Sequence, residues 1–329
     1  MARIPHIALI SAVAFAAAVA VATQMNDYLL YVVILWAIFA SLAVSFDVLL
    51  GYTGYLSLAH GALFGLGAYT GAIMTTRAGA GFWLALPVAG LVTAGVAMVV
   101  ALIAFRTRGL YFAVLTLGIG LIGHQMFLVA SGLTGGVLGF AGIPGPGVPS
   151  WLPIDQNLWN TCLALALLLV TFLAAQVFVR SRLGAACIAV REDMTLAQAL
   201  GIGISRARLS AFIFSGFFTG LAGALFAAIN NFVAPESFTV LGTGFQLVAL
   251  VVVGGMGTLW GPILGAALLT ALPEALRMAS GYSMLAYGVL LLVFILFAPK
   301  GFAGLIQRGA AVLRRPATRK LSPTKEGVR

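Results

Sequence analysis

Apolar runs of membrane-crossing length follow one another along almost the whole chain and leave little room for any other architecture. A spanning helix needs roughly 20 mostly apolar residues. Runs of that kind stand at 7–23, 28–46, 59–76, 82–105, 110–130, 158–179, 209–231, 242–258, 262–278 and 283–298. Hydrophobic residues make up 62% of the 329 and charged residues only 8%, where a soluble domain carries about a quarter charged. The expectation is an all-α, polytopic membrane protein of about ten transmembrane helices. One transmembrane domain covers 1–307, and a basic tail over 308–329 is expected to be disordered. The first run also has the outline of a signal peptide, with Arg3, a short apolar stretch and Ala20-Val21-Ala22. Nine further runs follow it, so it is read as a retained span.

The net charge of +10 would raise nucleic-acid binding in a soluble chain. No nucleic-acid motif is interleaved with the basic residues, so that reading is dismissed. Position decides more than the sum. With the N-terminus placed inside, all of the 18 lysines and arginines except Arg77 and Arg277 fall on the cytoplasmic side. The positive-inside rule therefore predicts both termini cytoplasmic, with the basic tail against anionic lipid. Cys162 and Cys187 fall far apart in this topology, so neither a disulfide nor a metal site is expected.

Glycine, at 40 residues, is clustered. One cluster runs from Gly51 to Gly61 (GYTGYLSLAHG) and another from Gly254 to Pro262 (GGMGTLWGP). Irregular backbone at membrane depth is tolerated only where protein or a wet cavity surrounds it, so dense clusters at span ends point to a pathway or gate. Spaced glycines inside spans, such as Gly61 and Gly65, read instead as close helix packing. The Gly-x-x-Gly-x-Leu pattern shared by the two clusters is set aside as chance. The 131–157 segment, with Gly142-Ile143-Pro144-Gly145-Pro146-Gly147, cannot be regular helix. It reads either as a cap over an outer mouth or as a connector.

Polar groups within the runs are few. Asp47 stands at the inner end of the second, His60 begins the third, and His124-Gln125 lies in the fifth. Asn230-Asn231, Glu236 and Glu274 sit near outer ends, where an interfacial role suffices. Asp47, Tyr52, Thr53, Ser57 and His60, grouped at the first glycine cluster, are the candidate pathway residues. A structural role for Asp47 and His60 stands equally open. No row of arginines suggests a voltage sensor, no potassium-filter sequence occurs, and the deep ionisable groups are too few for a proton relay. None of Lys300, Lys320 and Lys325 follows a glycine, so the chain lacks a phosphate-binding loop and cannot be its own ATPase. Energy for transport must come from another subunit. The chain is read as a non-enzyme without cofactor.

The basic segment 180–208 is the longest internal cytoplasmic loop. Within it, 189–200 reads as a short amphipathic helix closed by Gly201-Ile202-Gly203, a docking element or an ordinary interfacial helix. With these motifs in hand the chain resembles the LivM-type permeases of branched-chain amino-acid ABC importers. The resemblance rests on Gly51–Tyr69, Gly109–Leu117, Leu133–Pro144, Gly184–Ile202 and Val253–Gly265, with Pro273-Glu274 and Pro299-Lys300-Gly301. It implies a second permease of the LivH type, two cytoplasmic ATPases of the LivG and LivF type, and a periplasmic or lipid-anchored binding protein, in a bacterial inner membrane. It also implies that Arg191, Glu192, Asp193, Ala197, Ala199 and Gly201 form the element that engages an ATPase. Tyr55, where such permeases often carry glutamine or leucine, and Asp47, where many carry asparagine, depart from the pattern and leave the solute open. An ion-coupled carrier, or a sugar, urea or aromatic-acid permease of the same superfamily, is the alternative.

Overall fold

The computed structural model of the chain describes residues 4–107, 109–276, 288, 301, 302 and 304. The expected span over 283–298 and the basic tail lie outside them. The described residues form twelve α-helices: α1 (Ile4–Ala22), α2 (Asp27–Thr53), α3 (His60–Thr76), α4 (Phe82–Ala104), α5 (Leu110–Val129), the single turn α6 (Ser131–Thr134), α7 (Gln156–Arg180), α8 (Arg182–Glu192), α9 (Met194–Ala199), α10 (Ile204–Asn230), α11 (Phe245–Gly254) and α12 (Gly261–Leu276). Among the described residues, six segments are long and apolar enough to cross a membrane: α2, α4, α5, α7, α10 and Pro235–Gly254. The chain is a multi-pass membrane protein. The expected count of ten is not reached there: α3 and α12 are 17 and 16 residues long, or about 25 Å, α1 is not among the six, and the run at 283–298 is not described.

α2 and α10 form the centre. α10 is 72% buried over its most apolar window, against 28% for α5 at the periphery. The α3–α10 contact is a backbone approach: a Cβ on Gly67 would run into the backbone of Gly220, and one on Gly223 into Phe64 and Ala68. Small residues let helices come this close in lipid, where no hydrophobic force drives them together. The spaced glycines therefore serve packing, as the sequence suggested. α2 is tied to α7 by Ser41 and Thr171, whose hydroxyls lie 2.8 Å apart, and to α12 by Trp36 Nε1 donating to Ile263 O.

Three boundaries differ from expectation. α2 runs to Thr53, not 46, because Asp47 finds a partner inside the protein and does not mark an interface. The span expected at 242–258 starts earlier, as a 3₁₀ turn over Pro235–Phe238 and a π-helical turn over Val240–Gly244. Pro235 lacks a donor, and Gly242 and Gly244 carry no Cβ, so a regular α-helix is not favoured there. The single helix expected over 189–200 is two, α8 and α9. Asp193 is extended between them, and its Oδ1 accepts the N–H groups of Thr195 and Leu196 at 2.8 and 3.0 Å, capping α9. The cap expected at Gly201 is present, with φ +77°, and Ile202 N–H reaches back to Ala197 O at 3.0 Å.

At the end of the bundle opposite α8 and α9, the Gly-Pro segment is irregular as expected. Strand β1 (Phe140–Ala141) pairs antiparallel with β2 (Phe232–Val233). Asn231 Nδ2 donates to Ile143 O at 2.8 Å, pinning the segment to the end of α10.

Candidate functional site

The helical ladder of α2 stops at Gly54, whose φ of +77° is open to glycine at little cost. Six residues, Gly54 to Ala59, then turn back before α3 begins at His60. This interruption is the first glycine cluster, but its opening residues Gly51, Tyr52 and Thr53 belong to the helix. Thr53 Oγ1 donates to Leu49 O.

The second cluster, which sequence reasoning kept apart from the first, meets it. Asp47, fully buried, accepts the Gly257 N–H on Oδ1 at 2.9 Å. Gly51 lies so close to Gly257 that any Cβ would collide with its backbone. Arg191, in the last turn of α8, donates through Nη1 to Gly51 O, and its Cγ lies beside Gly54. The last carbonyls of a helix have no partners within it, and a cation there also suits the helix dipole. Arg191 is thus the cap of α2, supplied by the loop helix.

A second arginine, which the sequence reading counted only as an orientation charge, grips the interruption from its other side. Arg208 in the first turns of α10 is 4% exposed, and its guanidinium carbon lies 4.4 Å from the Tyr55 ring centroid. Tyr55 in turn meets Phe105 and Phe112 edge-on, at 5.7 and 4.8 Å. Tyr55 therefore makes a cation–π seat for Arg208. Arg208 Nη2 also sits 2.7 Å from Met194 Sδ, at the start of α9. Cys187 ties α8 to α10 by donating to Ala207 O, and burial pushes its thiol up to about 11.

Beyond the arginines, Ser57, His60 and Thr53 are buried and Tyr52 is half-buried. His60 lies between the rings of Phe46 and Phe212, with Nδ1 3.0 Å from Ser57 Oγ and Nε2 2.9 Å from Ser215 Oγ. Leu58 N–H donates to Thr116 Oγ1 on α5 at 3.2 Å. Backbone of the other irregular stretch arrives at the same place: Gly61 faces Thr239 O and Gly244 N, and Gly120 of α5 faces Leu58 O and Val240. Two helix interruptions and α5 therefore share one neighbourhood. The Pro235-to-Gly244 interruption was missed, although Pro235, Gly242 and Gly244 carried its signal.

Of the loop residues singled out, Ala197 is buried under the α9 turn, while Glu192, Asp193, Ala199 and Gly201 are exposed. Leu196 and Leu200 stand beside them, 59% and 71% exposed.

A multi-pass helical protein in which two interrupted segments meet, one of them held by a loop hairpin, has the architecture of transporters that line a passage with broken helices. The family model for the branched-chain amino acid transport system permease component matches residues 27–298, and the chain belongs to that family. It is 36% identical over 287 residues to the high-affinity branched-chain amino acid transport system permease protein LivM of Salmonella typhimurium, covering 80% of this chain and 67% of that one. The Escherichia coli LivM is 35% identical over 286 residues, with the same coverage. The chain is also similar to Escherichia coli LivH, 28% identical over 293 residues and 93% of that protein. No solved structure matches it.

Proposed function

We propose that the chain is the permease subunit of an ATP-driven importer of branched-chain amino acids in a bacterial inner membrane. It pairs there with a second, related permease, two cytoplasmic ATPases and a periplasmic or lipid-anchored binding protein. Ten spans with cytoplasmic termini fit the charge distribution, with α1, the short helices α3 and α12 and the run at 283–298 completing the count. ATP is hydrolysed on the partner subunits, and this chain converts their motion into solute passage.

The observation that carries the reading is the seating of α8 and α9 on the α2–α3 interruption through Arg191 and Arg208. Closure of an ATPase dimer displaces whatever rests on it. A hairpin joined to the membrane only by flexible chain would dissipate that displacement. Here Arg191 of the hairpin holds the last turn of α2, and Arg208 at the start of α10 holds both Tyr55 and Met194 of α9, so a shift of the hairpin is passed to Gly54–Ala59. Ser57 lies in that segment, and Asp47, Tyr52, Thr53 and His60 flank it at the ends of α2 and α3; together they form the part of the pathway that this movement displaces. The outward face of α9, with Leu196 and Leu200, is the apolar patch that meets the ATPase, flanked by Glu192, Asp193 and Ala199. Exposed apolar groups rimmed by polar ones suit such docking.

The test is Leu200→Glu in the co-expressed complex, scored by capture of the ATPases and by ATP hydrolysis stimulated with leucine-loaded binding protein. Loss of both, with normal insertion of the permease, supports the reading. Full capture and stimulation would remove α9 from the docking surface.

A further inference from the structure

The least buried long helix carries a polar group on its open face. Tyr111, Val114, Ile122 and Val129 of α5 are 78%, 57%, 63% and 72% exposed. A Cβ on Gly118 would meet nothing within 4 Å, and Gln125 is exposed. Positions 111, 114, 118, 122, 125 and 129 recur every three or four residues, so they form one stripe. A lipid-facing stripe has no use for a carboxamide, whose transfer to hydrocarbon without a partner is costly. His124 beside it is half-buried, and its Nδ1 is enclosed with no hydrogen bond among the described residues. Two polar groups in the outer third of an apolar helix call for protein or water opposite them.

The helix is also placed to move. Its inner half is fastened to the interruption by Thr116 and Leu58, so whatever displaces Gly54–Ala59 displaces α5. Beside the contacts of Phe127 with Tyr69 and of Gly123 with Ala62 on α3, its outer half borders an apolar cavity of about 340 Å³ that reaches α4, lined by Leu66, Tyr69, Ile73, Val96, Val100 and Met126. The cavity leaves room for a tilt that the close-packed α3–α10 pair does not have.

We infer that the exposed stripe of α5 is the wall this subunit gives to the solute passage, opposed by the corresponding helix of the second permease. Gln125 and His124 are then polar contacts for the zwitterionic head of an amino acid. The occupant follows from the comparisons: the chain is similar to both LivM-type and LivH-type permeases along most of its length. Two subunits of one fold pair most simply about a two-fold axis, which sets like faces against each other. The inference rests on the permease reading above.

The test uses the full importer in proteoliposomes, with Cys162 and Cys187 replaced by serine and with ATP-driven leucine uptake first verified. Single cysteines at Gly118, Ile122 and Gln125 are compared with one at Leu102 of α4, which is 54% exposed. The three α5 positions are expected to react with a charged methanethiosulfonate, and leucine-loaded binding protein with ATP is expected to change their rate. Leu102 is expected to react only with a lipophilic maleimide. Gln125→Leu is expected to lower uptake about threefold or more, the weight of one membrane hydrogen bond. If the α5 cysteines behave like Leu102 and Gln125→Leu transports normally while uptake persists, α5 faces lipid and the inference is overturned with the permease reading intact. Absence of uptake in the parent complex would overturn the permease reading itself.

Discussion

Arg191→Ala isolates the contact on which the proposed coupling depends. The variant deletes the donor to Gly51 O and the stem beside Gly54. A hydrogen bond from a charged group contributes about 1.5–3 kcal/mol, and a cation at a helix C-terminus about 0.3–1 kcal/mol more. Arg191 is largely exposed, so solvent screening favours the lower end, about 1.5 kcal/mol. That corresponds to about a tenfold rise in local opening of the α2 terminus. Hydrogen exchange followed by mass spectrometry on the intact complex reads it directly: amides of 52–58 should exchange about tenfold faster, while α4 is unaffected. Lysine keeps the charge but loses the planar fork, and its effect should fall between, at about threefold. The alanine variant should also lower the leucine imported per ATP hydrolysed, since the hairpin no longer moves the interruption as one piece. Exchange in 52–58 within twofold of the parent would refute the capping argument, whatever happens to transport.

Four further outcomes follow from packing and burial. Gly67→Leu should separate α3 from α10 and cost at least about 1–3 kcal/mol, seen as a lower melting temperature of the solubilised complex. Gly95→Ala on α4, where a Cβ meets nothing, should leave that temperature equal or higher. His60→Ala removes two buried hydrogen bonds and opens a cavity, and should cost about 3 kcal/mol in the same assay; an unchanged melting temperature would argue that His60 faces water. Cys187, with its thiol held up at about 11, should alkylate with maleimide at pH 7.5 about a hundredfold more slowly in the native complex than after denaturation. Its native rate should keep rising with pH between 9 and 11, where the denatured thiol has already levelled off, and fast native labelling at neutral pH would contradict the burial.

Much of the helical layout was legible because lipid permits few backbone solutions, and apolar length reports helices directly. The runs at 59–76, 82–105, 110–130 and 158–179 became α3, α4, α5 and α7 within a few residues. The errors fell where tertiary contact outweighs hydropathy. Asp47 was read with function and structure equally open, and its buried partner Gly257 is one that no local pattern announces. The π-helical turn at 240–244 looked like loop plus helix because its glycines fit both. Among the loop residues, Arg191 was singled out for docking and not for contact with the long helices. Its reach to Gly51, 140 residues away in sequence, was not legible. The pattern shared by the two glycine clusters was set aside as chance, and nothing in sequence showed that the clusters touch. Arg208 was hidden for a related reason: as one basic residue among several before a span it satisfies the orientation rule, and only packing reveals Tyr55 beneath it.

The central claim is that this chain moves solute with energy supplied by separate ATPases through the Arg191 and Arg208 contacts. Uptake of labelled leucine into proteoliposomes holding the complete complex, with and without ATP and with ion gradients collapsed by ionophores, tests it most directly. Uptake should require ATP and the binding protein, survive loss of every ion gradient, and fall in Arg191→Ala relative to the ATP consumed. Uptake by the chain alone, driven by a proton or sodium gradient without ATP, would contradict the account.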